Sequence, residues 1–145
     1  MKHRLILRVV TKMLIPPILL FALYVQFHGD FGPGGGFQAG VIFASAFILY
    51  AIVFGLDTAR KAVPLGLLRV LIAAGLLLYG LVGMAGLLLG GNYLNYGVLG
   101  SSETSGQHLG VLLIEFGVGV TVSAVMVAIF FSFAGRPPRM RDENW

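Results

Sequence analysis

The stretch FQAGVIFASAFILYAIVFGL, residues 37–56, contains 20 residues and no charged side chain. As an α-helix it would rise about 30 Å, which is the thickness of the hydrocarbon core of a bilayer. The whole chain of 145 residues is also poor in charge: only 11% of its residues are charged, whereas soluble domains carry about 25%. The stretch therefore predicts a membrane-spanning helix.

Three further apolar runs have the length of a membrane span. Pro16 and Pro17 lie within the first of them, and a helix that began there would rise only about 17 Å, too little to cross a bilayer. We therefore expect the prolines to kink a longer helix. The predicted fold is an all-α membrane protein with a single domain over residues 1–145 and four transmembrane helices, at about 5–27, 37–56, 64–89 and 105–133.

The ends of these spans carry local signals. Asp57 and Thr58 are polar residues that follow the second run, and they are expected to end it. Pro64 suits the first turn of the third helix. The segment Thr104-Ser105-Gly106-Gln107 fits a capping box, which predicts the start of the fourth helix.

Segments with and without basic residues alternate along the chain. The connectors at 28–36 and 90–104 hold no Lys or Arg. The other three segments outside or at the ends of the spans are basic, and basic segments stay in the cytoplasm. Both termini are therefore predicted to be cytoplasmic in a multi-pass protein of the cytoplasmic (inner) membrane. Basic patches beside apolar runs favour a lipid surface over nucleic acid. The basic residues are Lys2, Arg4, Arg8, Lys12, Arg60, Lys61, Arg69, Arg136, Arg139 and Arg141.

The chain lacks the residues that several kinds of site require. The chain has no cysteine, which excludes a disulfide framework and thiolate metal ligation by this chain. No His/Glu spacing predicts a closed metal site, and no nucleophile–base pair is recognisable. We therefore expect no bound metal and no cofactor.

Small residues recur within the spans. Glycines four residues apart occur at 36 and 40, at 86 and 90, and at 106 and 110. Such spacing lets helix backbones approach closely in lipid. The pairs predict tight helix packing, and some of these faces are also expected to meet helices of other subunits.

The connector between the first two spans has two interpretations. In the structural one, Pro33, Gly34, Gly35, Gly36 and Phe37 form a tight hairpin, because glycine allows the positive φ that a sharp reversal requires. Asp30 would then cap the second helix and His28 would lie at the interface. In the functional one, His28 and Asp30 form the lip of an ion or proton path. Nucleotide binding is disfavoured, because Phe37 stands where a phosphate-binding loop has lysine.

Glu115 is the only charged residue within the fourth apolar run after its start. A carboxylate at that depth faces the protein interior or water, and burial disfavours its ionised form. His108, Gly119 and Ser123 share roughly its helix face. Glu115 and His108 are therefore candidates for a proton path. The alternative is a protonated or paired glutamate that fixes helix packing.

The segment FHGDFGPGGGFQAGVIFASAFILYAIVFG, residues 27–55, resembles the signature hairpin of the MnhB/MrpB subunit of multisubunit Na+/H+ antiporters. Members have a histidine, a short spacer and then Pro-Gly-Gly-Gly-Phe leading into an apolar helix. The common form has Gly-His-Asn before the proline, whereas this chain has His28-Gly29-Asp30-Phe31-Gly32. The resemblance covers about residues 5–133.

The resemblance implies a non-catalytic subunit of an Mrp-type complex that couples Na+ and H+ movement, with the other subunits and lipid as partners. It is expected to support assembly and to line the ion path. Similar subunits occur in membrane-bound hydrogenases and related respiratory complexes, so an ion-module subunit of such an enzyme is the alternative. A stand-alone channel or structural adaptor is a third interpretation.

Overall fold

The computed structural model describes the backbone of residues 2–29 and 34–136, with side chains from residue 5 onward in those ranges. In the described residues there is no strand, and four helices are long and apolar enough to cross a membrane. This confirms the predicted all-α fold with four spans. The elements are α1 (Lys2–Phe27), α2 (Gly36–Phe54), α3 (Leu56–Ala62), α4 (Leu65–Leu88), a 3-10 helix (Tyr96–Leu99) and α5 (Glu103–Ala134).

The helix ends differ from the predicted ones at two places. The second span ends at Phe54 because Gly55 has a φ of 97°, a left-handed value that favours glycine. Asp57 and Thr58 therefore do not end it; they lie in the short helix α3. The start of α5 is also corrected, because the side chain of Ser102 accepts a hydrogen bond from the backbone N–H of Ser105 at 3.3 Å and caps the helix.

The prolines of the first span lie within a longer helix, as the sequence predicted. Pro16 and Pro17 lie inside α1, which begins well before them and ends at Phe27. The third span begins at Leu65, with Pro64 in extended conformation at the N-cap. The first and third spans therefore have the extent that the sequence predicts to within a few residues.

Helix α5 is the centre of the arrangement. It packs against α2 on one side and against α4 on the other, while α1 packs mainly against α2. The core lies where α2, α3, α4 and α5 converge, and alanines such as Ala44 and Ala124 make it narrow. Much of α1 is exposed in this single chain. The buried residues of the core are Ala44, Ala51, Ala59, Leu68, Ala124, Val127 and Phe131.

One of the three glycine pairs packs helix against helix as predicted. A Cβ atom on Gly40 would lie only 2.7 Å from the carbonyl oxygen of Gly119, so α2 and α5 touch through their backbones. The other two pairs pack differently. Gly86 and Gly110 face the connector between α4 and α5, with Gly86 near the Asn92 carbonyl and Gly110 against the Tyr96 side chain.

Basic groups gather at one end of the bundle. The charged groups of Arg8 and Lys12, at the start of α1, lie 5.9 and 5.8 Å from the centre of the Phe54 ring at the end of α2. In α3, Nη2 of Arg60 donates a hydrogen bond of 3.1 Å to the carbonyl of Phe131, near the end of α5. The hairpin between α1 and α2 and the connector before α5 consequently lie at the opposite end.

Candidate functional site

The reversal between α1 and α2 is held by backbone contacts. The N–H of Gly35 donates to the carbonyl of Val25 at 3.3 Å, which ties the start of α2 to the last turn of α1. Gly35 has a φ of 123°, a conformation that other residues rarely adopt. Gly35 therefore takes part in the reversal between α1 and α2.

The carboxylate of Glu115 lies directly on this hairpin. A Cβ atom on Gly29 would be 2.8 Å from Oε2 of Glu115, and one on Gly35 would be 3.1 Å from Oε1. A Cβ atom on Gly36 would meet the backbone carbonyl of Glu115. Gly29 and Gly35 leave room for the carboxylate, and Gly36 leaves room for the backbone of α5 at Glu115.

This position has an electrostatic consequence. The first amides of α2 have no partners within their helix, and the helix dipole places positive potential at that end. Glu115 is half-buried beside the first residues of α2. The carboxylate therefore lies at the end of α2 where the helix dipole favours negative charge.

The two candidate histidines lie at different distances from this contact. His28 is exposed and directly precedes Gly29, and its ring stacks on Tyr24 with 4.7 Å between the ring centres. His108 is exposed on α5, roughly 10 Å of helix rise before Glu115. It borders a surface depression with Glu103 and Gln107. The structure thus joins Glu115 to the hairpin and places the histidines on the exposed side.

The remaining predicted residues fall into two groups. Asp30 and Pro33 lie outside the described residues. Phe37 is exposed on α2. Within the described part of the chain, no three His, Asp or Glu side chains are grouped so that they could hold a metal ion.

One polar residue near the site was missed by the sequence analysis. Gln26, in the last turn of α1, is only 9% exposed. A Cβ atom on Gly119 would lie 2.5 Å from Oε1 of Gln26, so this amide sits against α5 one turn beyond Glu115. The only sequence signal was an amide inside an otherwise apolar run, and nothing in the pattern showed which way it faces.

The connector before α5 packs against α4 and α5 at the same end of the bundle. Tyr93 lies against Gly83 of α4, and Tyr96 lies against Gly110 of α5. Burial, followed by the neighbouring Tyr79 and Tyr93, raises the pKa of the Tyr96 hydroxyl. The phenol therefore stays protonated at neutral pH and acts as a neutral group at this end.

Comparison with known proteins identifies relatives over nearly the whole chain. Residues 6–128 match a family model described as a domain related to the MnhB subunit of Na+/H+ antiporter. Staphylococcus aureus proteins named as antiporter subunit mnhB2, from strains Newman, JH1 and COL, are each 33% identical over 133 residues. Each alignment covers 90% of this chain and 94% of the relative.

Proposed function

The chain belongs to the family of the MnhB subunit of Na+/H+ antiporters, and on that premise we propose that it is a non-catalytic membrane subunit of a multisubunit Na+/H+ antiporter. Residues 1–145 act as one domain in the cytoplasmic membrane, and its partners are the other subunits and lipid. The family and the relatives are antiporter subunits by name. This favours an antiporter over the hydrogenase-type assembly.

Within that complex, Glu115 is the proton-binding group of this subunit. One observation carries this assignment: its half-buried carboxylate lies on the glycine backbone at the start of α2. A carboxylate within a membrane-spanning helix marks an ion or proton path by default, and a carboxylic acid can exist in both the protonated and the ionised form that a relay requires. His28 lies at the lip of the ion or proton path and His108 is a further group of that path; Asp30, the other lip residue indicated by the sequence, lies outside the described residues. The glycine hairpin holds it in place.

Replacing Glu115 with glutamine is expected to lower the rate of Na+/H+ antiport by about tenfold or more, since a relay that loses its proton-binding group loses its general acid–base function. Glutamine keeps the size and hydrogen bonding of the side chain, so the complex should still assemble. Glu115→Asp keeps the carboxylate and should be milder. Antiport is measured as a function of pH in vesicles, with the amount of assembled complex determined by co-purification.

The matched control is Glu103→Gln on the same helix. Glu103 is exposed in the first turn of α5 and outside the hairpin contact, so this variant should keep the native rate. If Glu115→Gln assembles and its antiport rate is unchanged at every pH, Glu115 is a packing residue and not part of the proton path.

The orientation gives a second prediction. Arg60 and the start of α1 lie at the basic end of the bundle, which supports a cytoplasmic location for both termini. Single cysteines at Ser101 and Lys61 can be tested directly, because the chain has none of its own. A membrane-impermeant thiol reagent should label Ser101→Cys only from outside and Lys61→Cys only from the cytoplasm. The opposite pattern would reverse the proposed topology.

A further inference from the structure

Two cationic side chains of α1 meet the end of α2 at the basic end of the bundle. Cζ of Arg8 and Nζ of Lys12 lie 5.9 and 5.8 Å from the centre of the Phe54 ring, and both side chains are exposed. Helix α2 has 19 residues, and its rise of about 28 Å matches the thickness of the hydrocarbon core. Phe54, its last residue, therefore lies at the edge of that core, and the two charges lie at the depth of lipid headgroups.

An apolar cleft of about 140 Å³ lies deeper in the same part of the bundle, between α1, α2 and α3. The ring of Tyr50, in one of its walls, stacks on the Phe54 ring with 4.7 Å between the ring centres. The wall of the cleft is thus continuous with the ring beside which the two cations lie. The residues that line the cleft are Ile15, Leu19, Ala46, Phe47, Tyr50 and Ala62.

The cations and the cleft are joined along one face of α1. Arg8, Lys12, Ile15 and Leu19 follow one another at intervals of four, three and four residues, which places them on one face of a helix. From Lys12 to Leu19 the helix rises about 10 Å. The face therefore carries positive charge at the membrane surface and hydrocarbon side chains below it, which is the order of the groups in a phospholipid.

Charge and size select the kind of molecule that fits this surface. Lys61 adjoins Ala62 at the cleft and is exposed, while Asp57, exposed in the first turn of α3, is the acidic residue of that helix. Basic groups thus prevail, and they favour an anionic headgroup. The cleft has the volume of only four or five water molecules at roughly 30 Å³ each. It accepts a stretch of hydrocarbon chain but not a helix, whose diameter with side chains is about 10–12 Å.

We propose that this surface binds an anionic phospholipid, with the phosphate between Arg8 and Lys12 and one acyl chain along Ile15 and Leu19 in the cleft. Arginine offers phosphate oxygens a planar fork of donors, and lysine adds a point charge. Because α1 packs mainly against α2, a lipid in this cleft ties the outermost helix to α2 and α3. The proposal concerns the basic end of the bundle and does not depend on the role of Glu115.

The test uses the assembled complex in membranes that contain a phospholipid with a photoreactive acyl chain. Two such lipids are compared, one with the anionic phosphatidylglycerol headgroup and one with the zwitterionic phosphatidylcholine headgroup. Mass spectrometry then locates the label. Phosphatidylglycerol should label residues 15–19 and 46–50 at least about fivefold more, the factor that one basic residue contributes to binding of anionic lipid. Equal labelling by both lipids would show that the cations select no headgroup, and the proposal would be wrong.

The role of the cations is tested with Arg8→Gln and Lys12→Gln. Each should lower labelling by phosphatidylglycerol about fivefold, and the double variant about 25-fold. The matched control is Arg136→Gln, which also removes one positive charge. Arg136 follows α5, its charge lies 4.8 Å from the centre of the Phe133 ring, and it does not line the cleft, so labelling of the two segments should not change. Native labelling in the double variant would overturn the assignment of the phosphate.

The acyl chain is tested with Ala62→Leu. Ala62 is exposed and lines the cleft, so a larger side chain there should lower labelling by both lipids severalfold. Thr58→Leu is the control, because Thr58 is exposed on the same helix and does not line the cleft. Labelling that is unchanged in Ala62→Leu would show that the chain does not enter the cleft.

The native complex decides the question even where a variant does not assemble. Absence of label from both segments with either lipid would mean that a side chain of another subunit fills the cleft, and the proposal would be wrong. The readout is lipid binding, so this failure is distinct from a failure of the proposed antiport function, which is measured as transport in Glu115→Gln.

Discussion

Gly36→Val is expected to prevent the hairpin of α1 and α2 from packing on α5, with loss of most of the assembled complex. A Cβ atom at this position would meet the backbone carbonyl of Glu115 and would lie 2.8 Å from its carbonyl carbon and 3.0 Å from its Cα. These are backbone atoms of a helix, so they cannot rotate aside as a side chain would. Overpacking of this kind costs about 1–3 kcal/mol, and more where the neighbour cannot move.

Gly80→Val is the matched control. Gly80 is also a glycine within a membrane-spanning helix, but no atom lies within 4 Å of a Cβ atom built on it. The two variants should differ strongly in the amount of chain that co-purifies with the other subunits. Equal recovery would show that the contact between Gly36 and Glu115 is looser than the structure describes. Gly36→Ala, which adds only the Cβ atom, should fall between Gly36→Val and the native chain.

Arg60→Ala is expected to lower the free energy of unfolding by about 1–3 kcal/mol, the range for a hydrogen bond from a charged group. Arg60 joins α3 to the last turns of α5 through the Phe131 carbonyl, and its charge lies over the Phe131 ring at 6.0 Å. A cation near the C-terminal end of a helix also complements the helix dipole. The measurement is the thermal unfolding midpoint of the purified complex in detergent.

Two comparisons make the Arg60 result interpretable. Lys61 is the next residue of α3 and is exposed, so Lys61→Ala should change stability by no more than about 0.5 kcal/mol. Arg60→Met keeps the apolar stem and removes the charge, so it separates packing from the hydrogen bond. If Arg60→Ala and Lys61→Ala have the same midpoint, the link between α3 and α5 contributes nothing measurable.

The four spans were predictable because each is a long apolar run, and the bilayer fixes how long such a run must be. Their ends were less predictable. At Gly55 the helix stops because of a backbone conformation, whereas the sequence drew attention to the polar residues that follow it. At the start of α5 several neighbouring residues carry hydroxyl groups, and the N-cap is Ser102 rather than Thr104.

The candidate site was predictable only in parts. The unusual composition of the hairpin and the charge of Glu115 singled out both segments, but their contact depends on how α5 packs against α2. Periodicity within one helix carries no information about which neighbour that face meets. For the same reason the glycines at 86 and 110 were assigned to helix contacts, although they receive the connector before α5. Gln26 was missed because its burial depends on three helices at once.

The central position of α5 has a consequence for synthesis in the cell. The helices on either side of it, α2 and α4, both precede it in the chain. When α5 leaves the ribosome, the two helices that it packs against, α2 and α4, have already been synthesised. The glycines of α2 that contact Glu115 have been made as well. The carboxylate can therefore pass from the insertion machinery directly onto its partner surface, without a period in lipid. Until that last step, the chain lacks both Glu115 and the helix that packs between α2 and α4.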